Sequence, residues 1–155
     1  KTPRDYATPE LKGYFAKTFL EWATDEFFKL SRDYSPTNQR LEQMEFLVNQ
    51  GVDVNYQNDE GTSAVMFLVR GQLENQTGLV LFLTSLRKRG ADFTLEDNKG
   101  DTALLIAVKN NNFRMFEFLT SELKLNHLTK NKNGVTSLSL AQDMKRTDFV
   151  KFMTA

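Results

Sequence analysis

The chain has 155 residues, 40% of them apolar, with 20 basic and 20 acidic side chains and no cysteine. That length suits one domain with a real core, and the balanced charge argues against general electrostatic binding to nucleic acid or an anionic membrane. The missing thiols exclude disulfides, thiolate metal sites and cysteine nucleophiles. No apolar run approaches the roughly 20 residues a membrane-spanning helix needs, and no leader sequence is visible, although one could precede Lys1.

In chain order, Thr8-Pro9 and Ser35-Pro36 each place a capping residue before a proline at the first helical position. Phe15, Phe19, Ala23, Phe27 and Leu30 recur between them at near-helical spacing. These signals predict a long first helix ending near Arg32 and a second over residues 36–49.

From there the chain repeats itself. NDEGTSAVMFL (58–68), DNKGDTALLIA (97–107) and NKNGVTSLSLA (131–141) share one pattern: polar residues, a glycine, Thr or Ser two residues later, then a small and an aliphatic residue. The glycines are Gly61, Gly100 and Gly134. Ten residues before each lies a second shared block, Gly51 to Asn55, Gly90 to Thr94 and the degenerate Lys124 to Leu128. A third block, apolar and helical, reads QMEFL (43–47), FLTSL (82–86), MFEFL (115–119) and FVKFM (149–153). Within one unit, Thr102 (Ser63 and Thr136 in the others) follows a turn and precedes an apolar run, the position of an N-cap. Leu104, Ala107 and Val108 share a face of a short helix. Asn110, Asn111 and Asn112 make a turn, and Phe113, Met115, Phe116 and Leu119 form the stripe of a second helix. Gly51 and Gly90 fall where a left-handed C-cap favours glycine. Each unit is therefore helix, turn, helix, protruding turn. It cannot bury its apolar faces alone, so neighbours must stack.

On these residues the chain resembles the ankyrin-repeat family, whose unit of about 33 residues carries a Gly-x-Thr-Pro-Leu-His-x-Ala signature and a Gly-Ala-Asp ending. Gly90-Ala91-Asp92 matches the ending in full, and Gly51-Val52-Asp53 nearly so. Gly100 to Ala107 matches the signature except at Pro and His; Gly134 to Ala141 and Gly61 to Leu68 match less well. No copy has the Pro or the His, so the inter-unit hydrogen bonds of that histidine do not carry over. The resemblance implies an all-α ankyrin-repeat solenoid of about four helix-turn-helix units with protruding β-turn or hairpin loops. It implies a single domain over 1–155, with a diverged N-terminal capping unit at 9–57 and further units at 58–96, 97–130 and 131–155. The six-residue excess between Gly61 and Gly90 falls in GQLENQTG (71–78), which reads as a surface loop.

Chemistry for catalysis or metal binding is not in evidence. His127 is the one histidine, placed in an extended segment as a partly buried spacer without the partners of a zinc or catalytic site. Neither usual phosphate-binding glycine loop occurs, and residues 53–61 lack the glycine and distal Glu of a calcium loop. Asp59/Glu60 and Glu96/Asp97 fall on protruding turns, where a carboxylate stays solvated. Arg87-Lys88-Arg89 suits a helix C-terminus. Asn75-Gln76-Thr77 is a glycosylation sequon only in a secreted eukaryotic chain. No metal, cofactor or catalytic residue is expected.

The resemblance instead implies a non-enzymatic module that binds a protein through a concave surface of turns and first helices. Carried position by position, its contacts in the 58–96 unit and the turn leading to it are Gln57, Asp59, Glu60, Thr62 and Arg70. In the next they are Glu96, Asn98, Lys99, Asp101, Lys109 and Asn110, and in the last Lys130, Lys132, Asn133, Val135 and Met144. The expected partner is a protein, not nucleic acid or membrane, and the chain alone is expected to be a monomer. A cytoplasmic location follows, or a periplasmic, secreted or host-delivered one if a signal precedes Lys1. A microbial effector or an inhibitor or immunity-type protein are the roles this suggests. A targeting domain cut from a larger enzyme and a spacer of a longer solenoid are the alternatives.

Overall fold

Short side-chain oxygens start almost every helix. In a computed structural model, which describes residues 8–32, 37–71 and 77–155, the Thr8 hydroxyl accepts from the Leu11 amide at 3.3 Å and opens α1 (Pro9–Ser31). Thr37 does the same for α2 (Asn38–Asn49), through the Arg40 amide at 3.2 Å. Ser63 caps α3 (Ala64–Leu68) and Thr102 caps α5 (Ala103–Lys109). Asn112 caps α6 (Phe113–Ser121) and Thr136 caps α7 (Ser137–Asp143). Each such bond satisfies a backbone N–H that the first turn leaves free. The remaining helices are α4 (Thr77–Lys88) and α8 (Thr147–Thr154).

The second helix therefore begins at Asn38 with Thr37 as its cap, not at residue 36; Ser35 and Pro36 lie outside the described residues. Thr77 and Gly78 belong to the first turn of α4 rather than to a loop, while residues 72–76, and with them most of the sequon, also lie outside. The absent side chain at Gly78 has a use. A Cβ there would stand 2.8 Å from Asn38 Oδ1 and 3.2 Å from a Leu41 methyl, so glycine lets α4 lie close on α2.

Among the eight helices described, α1 packs on α2, α5 on α6 and α7 on α8; α1, α3, α5 and α7 follow one another as an inner row and α2 lies against α4, with turns protruding after α2, α4 and α6. Among the described residues there is no named strand, only an isolated bridge between Gln57 and Ser63. Gly51 and Gly90 leave their helices at φ +92° and +90°, and Lys124 takes the matching position at +59°.

The inner helices are the centre of the core. All of residues 64–68 in α3 and all of 103–108 in α5 are buried. Neighbouring units cover such a helix on two sides and its own second helix on a third. Met115, Phe116, Leu119 and Phe149 are fully buried behind them, and Phe113 and Phe116 meet Phe149 and Phe152 edge-on at 5.3–6.0 Å.

The stripe of α1 divides in two. Ala23 and Phe27 are buried and Leu30 is partly buried, but Phe15 and Phe19 are exposed at 39% and 38%. Only the second half of α1 lies against α2 and α3. The spacing identified an apolar face; it carried no information on where the neighbouring helices stop.

Candidate partner-binding edge

Three turns of identical construction form one edge of the stack. In each, an Asx side-chain oxygen accepts from the amides two and four residues on. Asn58 Oδ1 takes Glu60 and Thr62 at 3.0 and 2.9 Å. Asp97 Oδ1 takes Lys99 and Asp101, both at 2.9 Å. Asn131 Oδ1 takes Asn133 and Val135 at 2.9 and 2.8 Å. The glycine of each turn closes it by donating to the carbonyl of that same residue, at 2.8–2.9 Å. All three glycines have positive φ, at +75°, +85° and +76°, a region costly for any residue with a Cβ.

Adjacent turns are tied together by amide side chains. Gln57 donates to the Glu96 carbonyl at 3.0 Å. The Asn98 side chain donates to the Asp59 carbonyl at 2.8 Å and its backbone amide to Glu60 at 3.0 Å. One turn further, Asn131 donates to Gly100 at 2.6 Å and Asn133 to Lys99 at 3.2 Å. The Lys132 ammonium reaches the carbonyls of Asp97 and Asn98 at 3.1 and 3.0 Å, and its amide meets the Glu96 carboxylate at 3.0 Å. These bonds connect neighbouring units directly through their turns.

The edge sorts the sixteen candidate residues. Gln57, Glu96, Asn98, Lys132 and Asn133 lie on it with polar atoms committed to the next turn. Thr62 is buried, and Asp101 is 9% exposed, its carboxylate paired with Lys109 at 2.6 Å. Asp59, Glu60, Lys99 and Lys130 point outward from the turns, and Val135 is half-buried among them. Arg70, Lys109, Asn110 and Met144 stand together in a different place, where the inner helices end. Because 64–68 and 103–108 are buried whole, the first helices α3 and α5 present only these terminal side chains.

Two features were not singled out in the sequence. The guanidinium of Arg32 lies over the Phe67 ring at 5.5 Å, and that of Arg70 over the same ring at 5.3 Å. Phe28 meets Phe67 and Tyr56 edge-on, each at 5.4 Å. Arg32 follows the first helix of the capping unit, which carries no copy of the signature, so nothing in the sequence set it beside Arg70. The second is a cleft of about 170 Å³ between the second and third turns, lined by Arg87, Phe93, Glu96, Leu105, Lys124 and Lys130 among others. The turns run from acidic at Asp59 and Glu60 to basic at Lys130. Among the described residues no three of His, Asp and Glu converge as a metal site, and no helix is long and apolar enough to cross a membrane.

A family model for ankyrin repeats, in three copies, matches residues 35–119 and 72–155. An ankyrin repeat protein of Acanthamoeba polyphaga mimivirus is 29% identical over 114 residues, 72% of this chain and 15% of the viral protein. A second ankyrin repeat protein of the same virus is 39% identical over 67 residues, 43% of this chain and again 15% of the relative. The matched stretch thus spans a small part of both relatives.

Proposed function

The chain belongs to the ankyrin-repeat family, and from that premise we propose that it is a non-enzymatic module that binds one protein partner along the row of stacked turns. Proteins of this family are generally protein–protein interaction modules, and extended repeat arrays present one continuous surface to a partner. The observation that carries the reading is the inter-turn ladder. It holds the three turns in fixed register by bonds of 2.6–3.2 Å, so the outward side chains are arranged before a partner arrives. A surface fixed in advance spares a partner the ordering cost of the loops.

Within that row Asp59, Glu60, Lys99 and Lys130 do the recognising, and the neighbouring amides keep them in place. The acidic-to-basic order along the row selects a partner with the reverse order, which favours one docking direction. Arg70 and Lys109 extend the footprint towards the ends of the inner helices. A host-delivered effector or an inhibitor of the immunity type would each use such a surface, and the identity of the partner separates the two.

The test is capture with two baits, the native chain and a triple variant Glu60→Lys, Lys99→Glu, Lys130→Glu, compared at two salt concentrations. We expect a protein retained by the first bait and lost from the second, with retention falling as salt rises. A protein held equally by both, with the same salt dependence, would remove the turn row from the reading.

A further inference from the structure

The first half of α1 carries an apolar face that the fold does not use. Leu11, Tyr14, Phe15, Phe19 and Trp22 fall within about 140° of the helix circumference, and they are exposed at 44, 63, 39, 38 and 55%. Phe19 and Trp22 already touch, ring centres 5.8 Å apart. The face continues onto α2 through a shallow groove lined by Trp22, Leu30, Phe46 and Leu47, in which Phe46 is 60% exposed. The uncovered apolar surface is on the order of 500 Å², near the upper end of what a monomer exposes as one patch.

The charges that flank the face identify what covers it. We propose that it is the contact between two copies of this chain, with α1 of one lying antiparallel to α1 of the other about Phe19. Reversed about Phe19, the helix sets Lys12 beside Glu26 of the second copy and Lys17 beside its Glu21. Glu10 then falls opposite its Phe28, one residue from Lys29. Lys12 lies beyond the Phe19 edge of the stripe with Glu26 just inside that edge, and Lys17 and Glu21 lie beyond the other, so each pair meets across the same edge of the contact. Asp25 falls opposite Gly13, one residue from Lys12. Lys29 pairs with Glu26 within the helix at 3.6 Å but remains 74% exposed, free to serve both contacts. A parallel arrangement would set each charge near its own copy.

The same reversal places the unsupported first half of one α1 along the anchored second half of the other. Leu11 and Phe15 of each copy then reach the groove at Trp22 and Phe46 of its partner. Apolar stripe and charged stems together approach the roughly 800 Å² per copy of a standard interface. Lys17 and Glu21 share a pocket with Gly51, Asp53 and Tyr56, so the contact adjoins the stretch that leads into the first turn. It departs from the monomer expected from the sequence.

The experiment is the mass of the chain in solution as a function of concentration, by sedimentation equilibrium or light scattering. The emission of Trp22, the single tryptophan, reports burial at the contact. We expect a two-chain mass at high concentration, with emission shifting to the blue as it forms. Phe19→Glu sets two carboxylates side by side at the two-fold axis and is expected to return a one-chain mass with native helical content by circular dichroism. Lys17→Glu and Glu21→Lys are each expected to weaken association about fivefold, and the two together to restore it. A native chain that keeps the one-chain mass up to about 100 µM, or a dimer indifferent to Phe19→Glu, overturns the proposal. Failure of the double reversal to restore association overturns the antiparallel register.

Discussion

Two helices of this chain carry similar residues and meet opposite fates. The inner helix α5 reads Ala-Leu-Leu-Ile-Ala-Val, and every one of these six residues is buried. The first half of α1 offers Leu11, Tyr14, Phe15, Phe19 and Trp22, and all five are exposed. Composition does not separate them, since the larger side chains are on the exposed helix. Position in the stack does. A helix between two units meets neighbours on both sides, whereas α1, among the described residues, buries its apolar side chains only over its second half. In a solenoid the burial of a residue belongs to the interface between units more than to the residue itself.

That contrast can be broken most forcefully in the core. Phe116, fully buried and edge-on to Phe149 at 5.3 Å, is expected to cost about 3–5 kcal/mol on replacement by alanine. Phe15→Ala, measured under conditions where the chain is single, is expected to cost less than about 1 kcal/mol. Denaturant titrations of the two variants decide it. A Phe15→Ala loss as large as that of Phe116→Ala would mean that the first half of α1 is covered within one chain.

The turns offer a sharper pair, because two glycines of similar φ, +85° and +76°, differ mainly in what lies beside them. At Gly100 a Cβ would meet the Asn133 amide at 2.8 Å and that of Asn131 at 3.1 Å; at Gly134 it would meet nothing. Gly134→Ala therefore carries only the left-handed backbone cost, about 1–2 kcal/mol. Gly100→Ala adds displacement of the rungs that Asn131 and Asn133 make to Gly100 and Lys99, and we expect a total of about 2–3 kcal/mol. Equal losses would show that the ladder yields without resistance. Asn112→Ala, of similar or slightly smaller effect at about 2 kcal/mol, removes two bonds at once. These are the cap to the Met115 amide at 3.2 Å and a buried bond to the Gly71 carbonyl at 2.7 Å. The exposed cap Thr8→Ala at the free end of α1 is expected to cost less than half as much.

How far these differences were legible in the sequence varies by kind. Gly61, Gly100 and Gly134 announced the turns, and Ser63, Thr102 and Thr136 the helix starts, because a backbone that needs positive φ or a capping oxygen admits few residue types. Lys124 obscured one such place by adopting φ +59° without being glycine. The turn residues were legible as a set but not in their division. Asn98 and Lys99 are adjacent and both polar, yet one is bonded to the turn before it and the other faces solvent. That depends on which carbonyls of the neighbouring turn lie within 3 Å, and no periodicity encodes it. The bareness of α1 was illegible for the related reason that a stripe reports a preference and not a neighbour. Arg32 and Arg70 came together on Phe67 through a first helix that carries no copy of the repeat signature.

The smallest expected effect tests how the bare helix is held to the rest. Arg89, at the end of α4, reaches Glu45 of α2 at 2.7 Å, with both side chains 36% exposed. Ser85 adds a weak contact to the same carboxylate at 3.4 Å. Charges this accessible to water are largely screened, so a double-mutant cycle of Glu45→Ala and Arg89→Ala is expected to give a coupling below about 1 kcal/mol, falling further in salt. The attachment of the first unit must then come mainly from apolar packing: Phe27 against Phe82 at 6.5 Å between ring centres, and Leu41 over the bare backbone of Gly78. A coupling well above 1 kcal/mol would reverse this weighting. It would make the α2–α4 ion pair a main attachment of the first unit.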